Sequence, residues 1–216
     1  MKKMINKILV FLKINWFKFF LFNLFFKKRI IRKKKCFLIP YFKASIRISK
    51  NSRLYLNGNA HIGQNNILSK RNKTIIELKN NATFKINGRV NIGMGGVISA
   101  NSGTLVIGSG SLGCDSFINC VNRIDIGNNF LFSREVIIRD DDGHKIIRDN
   151  YISSKPVSIG NNAWFCERVT VLKGSTIGDN VVVGFGTIIK GVIKNNVCVG
   201  NKTENFTINI NGWVLK

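Results

Sequence analysis

Residues 159–194 repeat with a period of six, and this period restricts the fold more than any other feature of the 216-residue sequence. Written in sixes, they read IGNNAW, FCERVT, VLKGST, IGDNVV, VGFGTI and IKGVIK. The first position is always apolar, the fifth is small or β-branched in the first five hexads, and the second is often glycine. The same period returns upstream in three shorter blocks, at Leu56/Ile62/Leu68, Ile86/Ile92/Ile98 and Ile126/Phe132/Ile138.

A six-residue period fits neither a helix nor an ordinary alternating strand. It predicts an all-β chain wound into a coil with three short flat faces, in which the first position of each hexad points inward. Asn and Gly, which tolerate positive φ, would turn the corners. Each coil can bury its apolar row only against the next coil, so the domain is expected to be a stacked solenoid.

The first part of the chain has a different composition, which predicts a separate N-terminal segment. Residues 1–50 hold fifteen Lys or Arg, and no Asp or Glu precedes Glu77, although the formal net charge of the whole chain is +23. We therefore expect a basic segment at residues 1–40, the solenoid at residues 41–205 and a C-terminal tail at residues 206–216.

Residues 1–26 are apolar but are interrupted by lysines, which does not fit a membrane-spanning helix or a signal peptide. At about 100° per residue, the lysines fall on one arc of a helix: Lys2, Lys3, Lys7, Lys13 and Lys18. The opposite arc is apolar: Met4, Ile5, Ile8, Leu9, Leu12, Trp16 and Phe19. Such a basic amphipathic helix is typical of peptides that lie in a bilayer interface.

The run KKRIIRKKK that follows (residues 27–35) adds seven basic residues in nine and favours contact with anionic lipid. We expect residues 1–35 to bind an anionic membrane surface. Alternatively, the helix packs on its own domain or on a neighbouring subunit. Nucleic acid is a less favoured partner, because blocks of Lys and Arg alone are a weak indication of it.

Cysteine and histidine usage argues against a disulfide framework and a metal site. The five cysteines form no CxxC pair, which fits a reducing compartment. Only two histidines are present, too few for a three-histidine site within one chain. His61, in NAHIGQNN, is interpreted as a surface or packed residue, and no metal is expected.

His144, in contrast, directly follows the densest acidic cluster of the chain, in VIIRDDDGHKI (residues 136–146). Histidine is the side chain suited to general base catalysis near neutral pH, and a nearby carboxylate would orient its ring. Asp140 and Asp142 lie at alternate positions and are the candidates for such a carboxylate. The alternative is a charged loop that only contacts solvent.

With these segments the chain resembles the hexapeptide-repeat acyltransferases, and most closely the small bacterial acetyltransferases of capsule, lipopolysaccharide and exopolysaccharide gene clusters. The resemblance rests on IDIGNNFLFSREVIIRDDDGHKI (124–146) and KPVSIGNNAWFCERVTVLKGSTIGDNVVVGFGTII (155–189), and extends more weakly over nearly the whole chain. It implies a left-handed parallel β-helix and a homotrimer with active sites at the subunit interfaces.

The resemblance also implies roles for individual residues. His144 occupies the catalytic position, and Asn119 lies in the region where an asparagine contacts the acceptor sugar. From their places beside His144, Asp142 is expected to be its partner and Asp140 to contact acceptor hydroxyls. Acetyl-CoA would bind along the coils at Trp164, Gly184 and Phe185, with Lys190 near its phosphates. For Asn119 the alternative is a corner asparagine, and for Trp164 an aromatic packed at the subunit boundary.

The sequence therefore predicts an acetyl-CoA-dependent O-acetyltransferase that acts on a sugar hydroxyl of a surface polysaccharide or its precursor. It is expected in the cytoplasm, peripherally bound to the inner face of the cytoplasmic membrane. The alternatives are an N-acetyltransferase of an amino sugar, a xenobiotic acetyltransferase and a catalytically inactive β-helix scaffold.

Overall fold

The computed structural model describes residues 11–64, 73–144, 147, 149–201 and the backbone of 206–209, and its strands form three sheets. The first sheet contains β1 (Ile30–Arg32), β4 (Arg53–Leu56), β7 (Thr83–Ile86), β10 (Thr104–Ile107), β13 (Arg123–Ile126), β16 (Val157–Ile159), β19 (Thr176–Ile177) and β22 (Val192–Ile193). The second contains β2 (Leu38–Pro40), β5 (Ala60–Gln64), β8 (Val90–Gly93), β11 (Gly110–Leu112), β14 (Phe130–Phe132), β17 (Trp164–Phe165), β20 (Val182–Val183), β23 (Val197–Gly200) and β24 (Phe206–Asn209). The third contains β3 (Ala44–Ile48), β6 (Thr74–Lys79), β9 (Val97–Asn101), β12 (Phe117–Cys120), β15 (Ile137–Arg139), β18 (Thr170–Val171) and β21 (Ile188–Ile189).

From β1 to β23, every third strand joins the same sheet, so each turn of the chain adds one strand to each of three faces. Neighbouring coils pair in parallel and in register, as at Leu105↔Ile124 and Phe132↔Phe165. The chain is thus a three-faced parallel β-helix, as the six-residue period predicts. Each face advances by about 4.8 Å per coil, the spacing of hydrogen-bonded strands.

The inward positions of the hexads form the core, as predicted. The first-position side chains are at most 2% exposed: Ile159, Phe165, Val171, Ile177, Val183 and Ile189. The fifth-position side chains are at most 1% exposed: Ala163, Val169, Ser175, Val181 and Thr187. The upstream blocks are buried in the same way, apart from Leu68, which lies outside the described residues.

Asparagine and glycine turn the corner between the first and second sheets. Asn129, Asn162 and Asn180 have φ of 57°, 55° and 55°, a left-handed conformation that asparagine tolerates better than most residues. Two glycines of this corner also allow the coils to approach closely: a Cβ on Gly127 would lie 2.7 Å from the backbone of Gly160. The predicted corner chemistry is therefore confirmed.

The N-terminal segment caps the first coil and is not one continuous amphipathic helix. Helix α1 (Trp16–Phe20) begins after Asn15, whose side chain accepts a hydrogen bond from the Lys18 backbone N–H, and it runs into a π-helix (Leu21–Phe25). The predicted basic amphipathic helix is interrupted here, because Ile14 leaves the helical path to form a β-bridge with Tyr41. The first ten residues of the N-terminal segment lie outside the described part of the chain.

The boundaries of the coiled region also differ from those expected. The first coil already begins at β1, inside the segment predicted as residues 1–40. At the other end, β24 pairs antiparallel with β23, so the chain reverses direction where the tail was expected to start.

Among the described residues, none of the helices has the length and apolar character needed to cross a bilayer.

Candidate functional site

His144 lies on an insertion between β15 and β16, at the corner where the third sheet passes into the first. The two arms of this loop are tied together near its base. Asp141 and Ser154 form an isolated antiparallel bridge, and the Asp142 backbone N–H donates to the Ser153 carbonyl at 3.0 Å. His144 lies beyond these links and is exposed, so it projects from the prism on a loop whose base is fixed.

Asp140 is a structural residue, and its predicted contact with the acceptor is not supported by its position. It is fully buried, and its two carboxylate oxygens accept the backbone N–H groups of Val121 and Asn122, both at 2.8 Å. The pKa of the neighbouring Cys120 thiol is raised, first by burial and then by the charge of Asp140, so Cys120 stays protonated. Asp140 therefore holds the base of the loop against the preceding coil.

Asp141, which the sequence interpretation passed over, shapes the turn before His144. Its carboxylate accepts the Gly143 backbone N–H at 2.7 Å and the side-chain amide of Asn119 at 2.7 Å. Arg139 lies 3.7 Å from the same carboxylate, and Gly143 has φ of 78°. An aspartate two residues before a glycine is a turn signal, and this signal could have identified Asp141 from the sequence.

Asn119 lies on β12 with its side chain half-buried on the outer face of the third sheet. Its amide group supports Asp141, so any contact with an acceptor would have to involve the remaining hydrogen-bonding capacity of this amide. The predicted role of Asn119 in acceptor binding stays a prediction.

Asp142 has two hydrogen-bond partners that were not anticipated, Tyr151 and Lys173. The Tyr151 hydroxyl and the Lys173 ammonium both donate to its carboxylate, and Lys173 also donates to the Ile152 carbonyl at 2.6 Å. We call Asp142, Tyr151 and Lys173 the loop clamp. Because the clamp engages this carboxylate, we expect Asp142 to act on His144 through the position of the loop.

The contacts within the loop clamp favour the charged forms of Asp142 and Lys173 and the neutral form of Tyr151. Lys173 and then Tyr151 lower the pKa of Asp142, while the hydrogen bond with Asp142 raises the pKa of Lys173 and of Tyr151. At pH values above the ordinary pKa of aspartate, the lowered pKa of the carboxyl group stabilises the ion pair. At pH values below the ordinary pKa of lysine, the raised pKa of the ammonium group stabilises the same pair. The contribution of this charged pair is therefore expected between the ordinary pKa values of aspartate and lysine, from about pH 4 to about pH 10.

A cavity of about 410 Å³ opens beside the loop clamp. It is lined by Asp142, Asn150, Tyr151, Ile152, Lys155, Leu172, Lys173 and Lys190. Lys190, predicted to lie near the donor phosphates, thus shares a cavity with the loop that carries His144. Three ammonium groups against one carboxylate make this cavity electropositive and suited to an anionic group.

Of the other residues predicted to bind the donor, Gly184 and Phe185 lie at the opposite edge of the third sheet, and Trp164 lies on the second sheet. Trp164 occupies an outward-facing position of β17, and Gly184 and Phe185 form the corner between the second and third sheets. From Gly186 to Lys190 the chain crosses the third sheet, which at about 3.3 Å per residue is roughly 13 Å. A single chain does not bring these residues together with His144.

This corner offers an open surface. Phe185 is 60% exposed, with the Arg168 guanidinium 5.5 Å from its ring centre. A Cβ on Gly184 would meet no atom closer than 3.4 Å, so the chain itself does not require glycine there. A second cavity, of about 430 Å³, lies along the same corner and is lined in part by Arg134 and Glu167.

His61 lies on β5 in the second sheet, away from this loop. Its Nδ1 is 3.4 Å from the Tyr41 hydroxyl, and its pKa is lowered, first by burial and then by Arg89. These contacts identify His61 as a packed residue, one of the two expected possibilities. Within the described ranges, no three His, Cys, Asp or Glu side chains come close enough together to hold a metal ion.

Comparison with known proteins identifies the repeat. Residues 156–191 match the family model described as bacterial transferase hexapeptide (six repeats). The galactoside O-acetyltransferase of Escherichia coli is 35% identical over 77 residues, which are 34% of this chain and 38% of the relative. WbbJ of the same organism, named as an O-acetyl transferase of lipopolysaccharide biosynthesis, is 30% identical over 94 residues, which are 38% of this chain and 48% of the relative.

Among solved structures, the polysialic acid O-acetyltransferase OatWY matches over 81% of this chain and 89% of its own, with a TM-score of 0.58 and 28% identity. The chain spans less than half of the length of the two curated relatives, but nearly the whole of this structure. The repeat, the three parallel sheets and this likeness agree on one fold. The chain carries the bacterial transferase hexapeptide repeat on a left-handed parallel β-helix and resembles the hexapeptide-repeat acetyltransferases, polysaccharide O-acetyltransferases among them.

Proposed function

We propose that this protein is an acetyl-CoA-dependent O-acetyltransferase that modifies a sugar hydroxyl of a surface polysaccharide or its precursor. The observation that carries the proposal is the exposed His144 on a loop fixed by Asp140, Asp141 and the loop clamp, beside an electropositive cavity. The likeness to OatWY over 81% of the chain supports a polysaccharide as the acceptor class.

The transfer needs one base and no resident cofactor. His144 accepts the proton of the sugar hydroxyl as its oxygen attacks the thioester carbonyl of acetyl-CoA. A carbon–oxygen bond forms, the carbon–sulfur bond breaks, and the histidine returns the proton to the leaving thiolate. The products are the O-acetyl sugar and free CoA thiol.

We also propose that each active site is completed by a neighbouring subunit of a homotrimer. The predicted donor residues Gly184 and Phe185 lie at one edge of the third sheet, with Trp164 on the adjoining second sheet, and the His144 loop lies at the other edge of the third sheet. Packing prisms side by side would bring one edge of a subunit against the opposite edge of the next. The resemblance to hexapeptide-repeat acyltransferases favours three subunits.

A stripe of apolar side chains on the outer face of the third sheet supports this association. Strand pairing places the stripe in consecutive register, interrupted only by Thr170: Ile75, Val97, Phe117, Ile137 and Ile188. Ile137 is 37% exposed and Ile188 is 58% exposed, which is unfavourable for a lone subunit. Association of subunits would bury this surface.

We therefore expect light scattering to give a mass close to three chains of 24.3 kDa each. Replacing Ile188 with Asp would place a charge on the apolar stripe and should shift the particle towards the mass of one chain, because burying an unpaired charge is costly. Thr176→Asp, also at an exposed strand position but on the first sheet, is the matched control and should keep the larger mass. A single-chain mass for the unmodified protein would contradict the proposal.

The function is tested by incubating the protein with acetyl-CoA and a set of acceptors: oligosialic acid, a galactoside and an amino sugar. Release of CoA thiol with a sugar acceptor, together with a product whose acetyl group is removed by mild alkali, is the expected result. An alkali-stable amide formed on the amino sugar would replace O-transfer with N-transfer. No acceptor-dependent thiol release from any sugar would contradict the proposed function.

A further inference from the structure

We propose that the N-terminal cap of the β-helix, residues 11–43, docks on the surface of an anionic lipid bilayer and holds the protein there by peripheral contact. The cap comprises α1, the π-helix, β1 and β2. Because β1 and β2 are themselves strands of the first coil, it is the helical part of the cap whose inner side packs on this coil, while the outer, solvent-exposed side combines phenylalanines with lysines.

The inner side of the cap is fixed to the coil by specific contacts. The buried Asn23 side chain donates to the carbonyls of Phe19 and Leu38, both at 2.8 Å, and accepts the Leu38 backbone N–H at 3.1 Å. Phe22 joins the hydrophobic core, and the Lys18 ammonium donates to the Ala44 carbonyl at 2.6 Å. The alternative that the segment packs on its own domain therefore holds for the inner side. This packing gives the outer side a defined orientation.

The outer side exposes an unusual amount of apolar surface. Eight large apolar residues of the cap are between 41% and 77% exposed: Phe11, Leu12, Phe17, Phe20, Leu24, Phe25, Ile31 and Phe42. Part of this surface is continuous, because Trp16 contacts Phe11 at 4.4 Å and Phe20 at 6.3 Å between ring centres. Exposed apolar surface of this extent indicates a binding surface.

The charge of the cap selects an anionic partner. Seven of its lysines are exposed: Lys13, Lys27, Lys28, Lys33, Lys34, Lys35 and Lys43. No Asp or Glu occurs before Glu77, so no acidic residue of this part of the sequence offsets them. The two arginines of the basic run have structural roles, since Arg29 donates to the Ile48 carbonyl at 3.0 Å and Arg32 to the Cys36 carbonyl at 3.2 Å.

Phenylalanine and leucine together with lysine fit a bilayer interface better than a nucleic acid. Apolar side chains gain free energy by entering the acyl boundary, while lysines remain at the level of the headgroups. Each lysine near an anionic membrane surface adds a favourable electrostatic contribution. Aliphatic side chains such as Leu12 and Leu24 would gain little from a phosphate backbone, which is contacted mainly by charged and polar groups.

Docking by the cap sets the height of the candidate site above the membrane. The strand that precedes the His144 loop, β15, lies four strand spacings from β3 of the first coil, or roughly 19 Å at about 4.8 Å per spacing. If the proposed acetyl transfer is correct, the site would meet sugars that project about 20 Å from a lipid carrier, on the cytoplasmic face where acetyl-CoA is available.

The proposal is tested by pelleting the full-length protein with vesicles, without acetyl-CoA, so that the result does not depend on the proposed enzymatic function. We expect partitioning into phosphatidylcholine vesicles with about 30 mol % phosphatidylglycerol to exceed that into phosphatidylcholine alone by about 100-fold at low salt. Raising the salt to about 1 M should remove most of this difference.

Phe25→Ser tests the apolar part of the surface and should lower partitioning by about tenfold. Val192→Ser, at a comparably exposed position of β22 near the other end of the prism, is the matched control and should change nothing: Phe25 is 76% and Val192 is 75% exposed. Lys33→Glu combined with Lys34→Glu should remove the preference for the anionic lipid.

Equal pelleting with neutral and anionic vesicles would overturn the proposal, as would equal losses for Phe25→Ser and Val192→Ser. Binding to a duplex DNA fragment without binding to the anionic vesicles would instead identify the cap as a nucleic-acid surface, and would also overturn it.

Discussion

Replacing His144 with alanine is expected to lower kcat for acetyl transfer by about 10²- to 10⁴-fold, the usual contribution of a general base. His144 is exposed on its loop, so its removal should leave the unfolding transition unchanged. The measurement is CoA thiol release at saturating acetyl-CoA and acceptor. His61→Ala is the matched control, because it removes the other histidine of the chain, and it should retain turnover. Equal turnover in the unmodified protein and His144→Ala would exclude His144 as the base.

The architecture could be predicted from the sequence because the six-residue period expresses a steric requirement that recurs in each coil. Ile159, Ile177 and Ile189 must each fit the narrow interior, and Asn162 and Asn180 occupy the left-handed corner conformation. The information for such a fold is local and repeated, so one coil predicts the next. His144 was singled out by its place after the acidic cluster and by the family resemblance, and its position on an exposed loop was found in the structure.

The partners of the acidic cluster could not be predicted, because they depend on contacts between distant parts of the chain. Asp142 is bound by Lys173, 31 residues later, and Asp141 by Asn119, 22 residues earlier. The alternate positions of Asp140 and Asp142 made both of them candidates for the carboxylate that orients His144. In the structure Asp140 points into the preceding coil, and the chain reverses at Gly143.

The N-terminal segment shows the same limit of sequence analysis. Its lysines and apolar residues fit a single helix, but helical periodicity carries no information about tertiary contacts that interrupt it. The bridge between Ile14 and Tyr41 and the cap at Asn15 break the helix, and Asn23 then anchors the following turn to Leu38. An apolar face predicted for lipid is thus partly used for the protein's own core.

Asp140→Ala is expected to destabilise the protein by roughly 3 kcal/mol or more, the second large effect. The substitution leaves the N–H groups of Val121 and Asn122 without their carboxylate at a fully buried position, and each buried unpaired donor costs about 1–3 kcal/mol. Urea unfolding at fixed protein concentration measures the change. Asp140→Asn keeps the shape and one acceptor oxygen, so its loss should be smaller.

This prediction separates a structural role of Asp140 from the acceptor-binding role inferred from the sequence. If Asp140 supports the loop, the folded fraction of Asp140→Ala should show a lower kcat, because the base of the His144 loop is displaced, with the KM for the sugar less affected. If Asp140 instead contacts the sugar, the KM should rise while the urea midpoint stays unchanged. Since the two backbone N–H groups have Asp140 as their partner in the fold, we expect the first outcome.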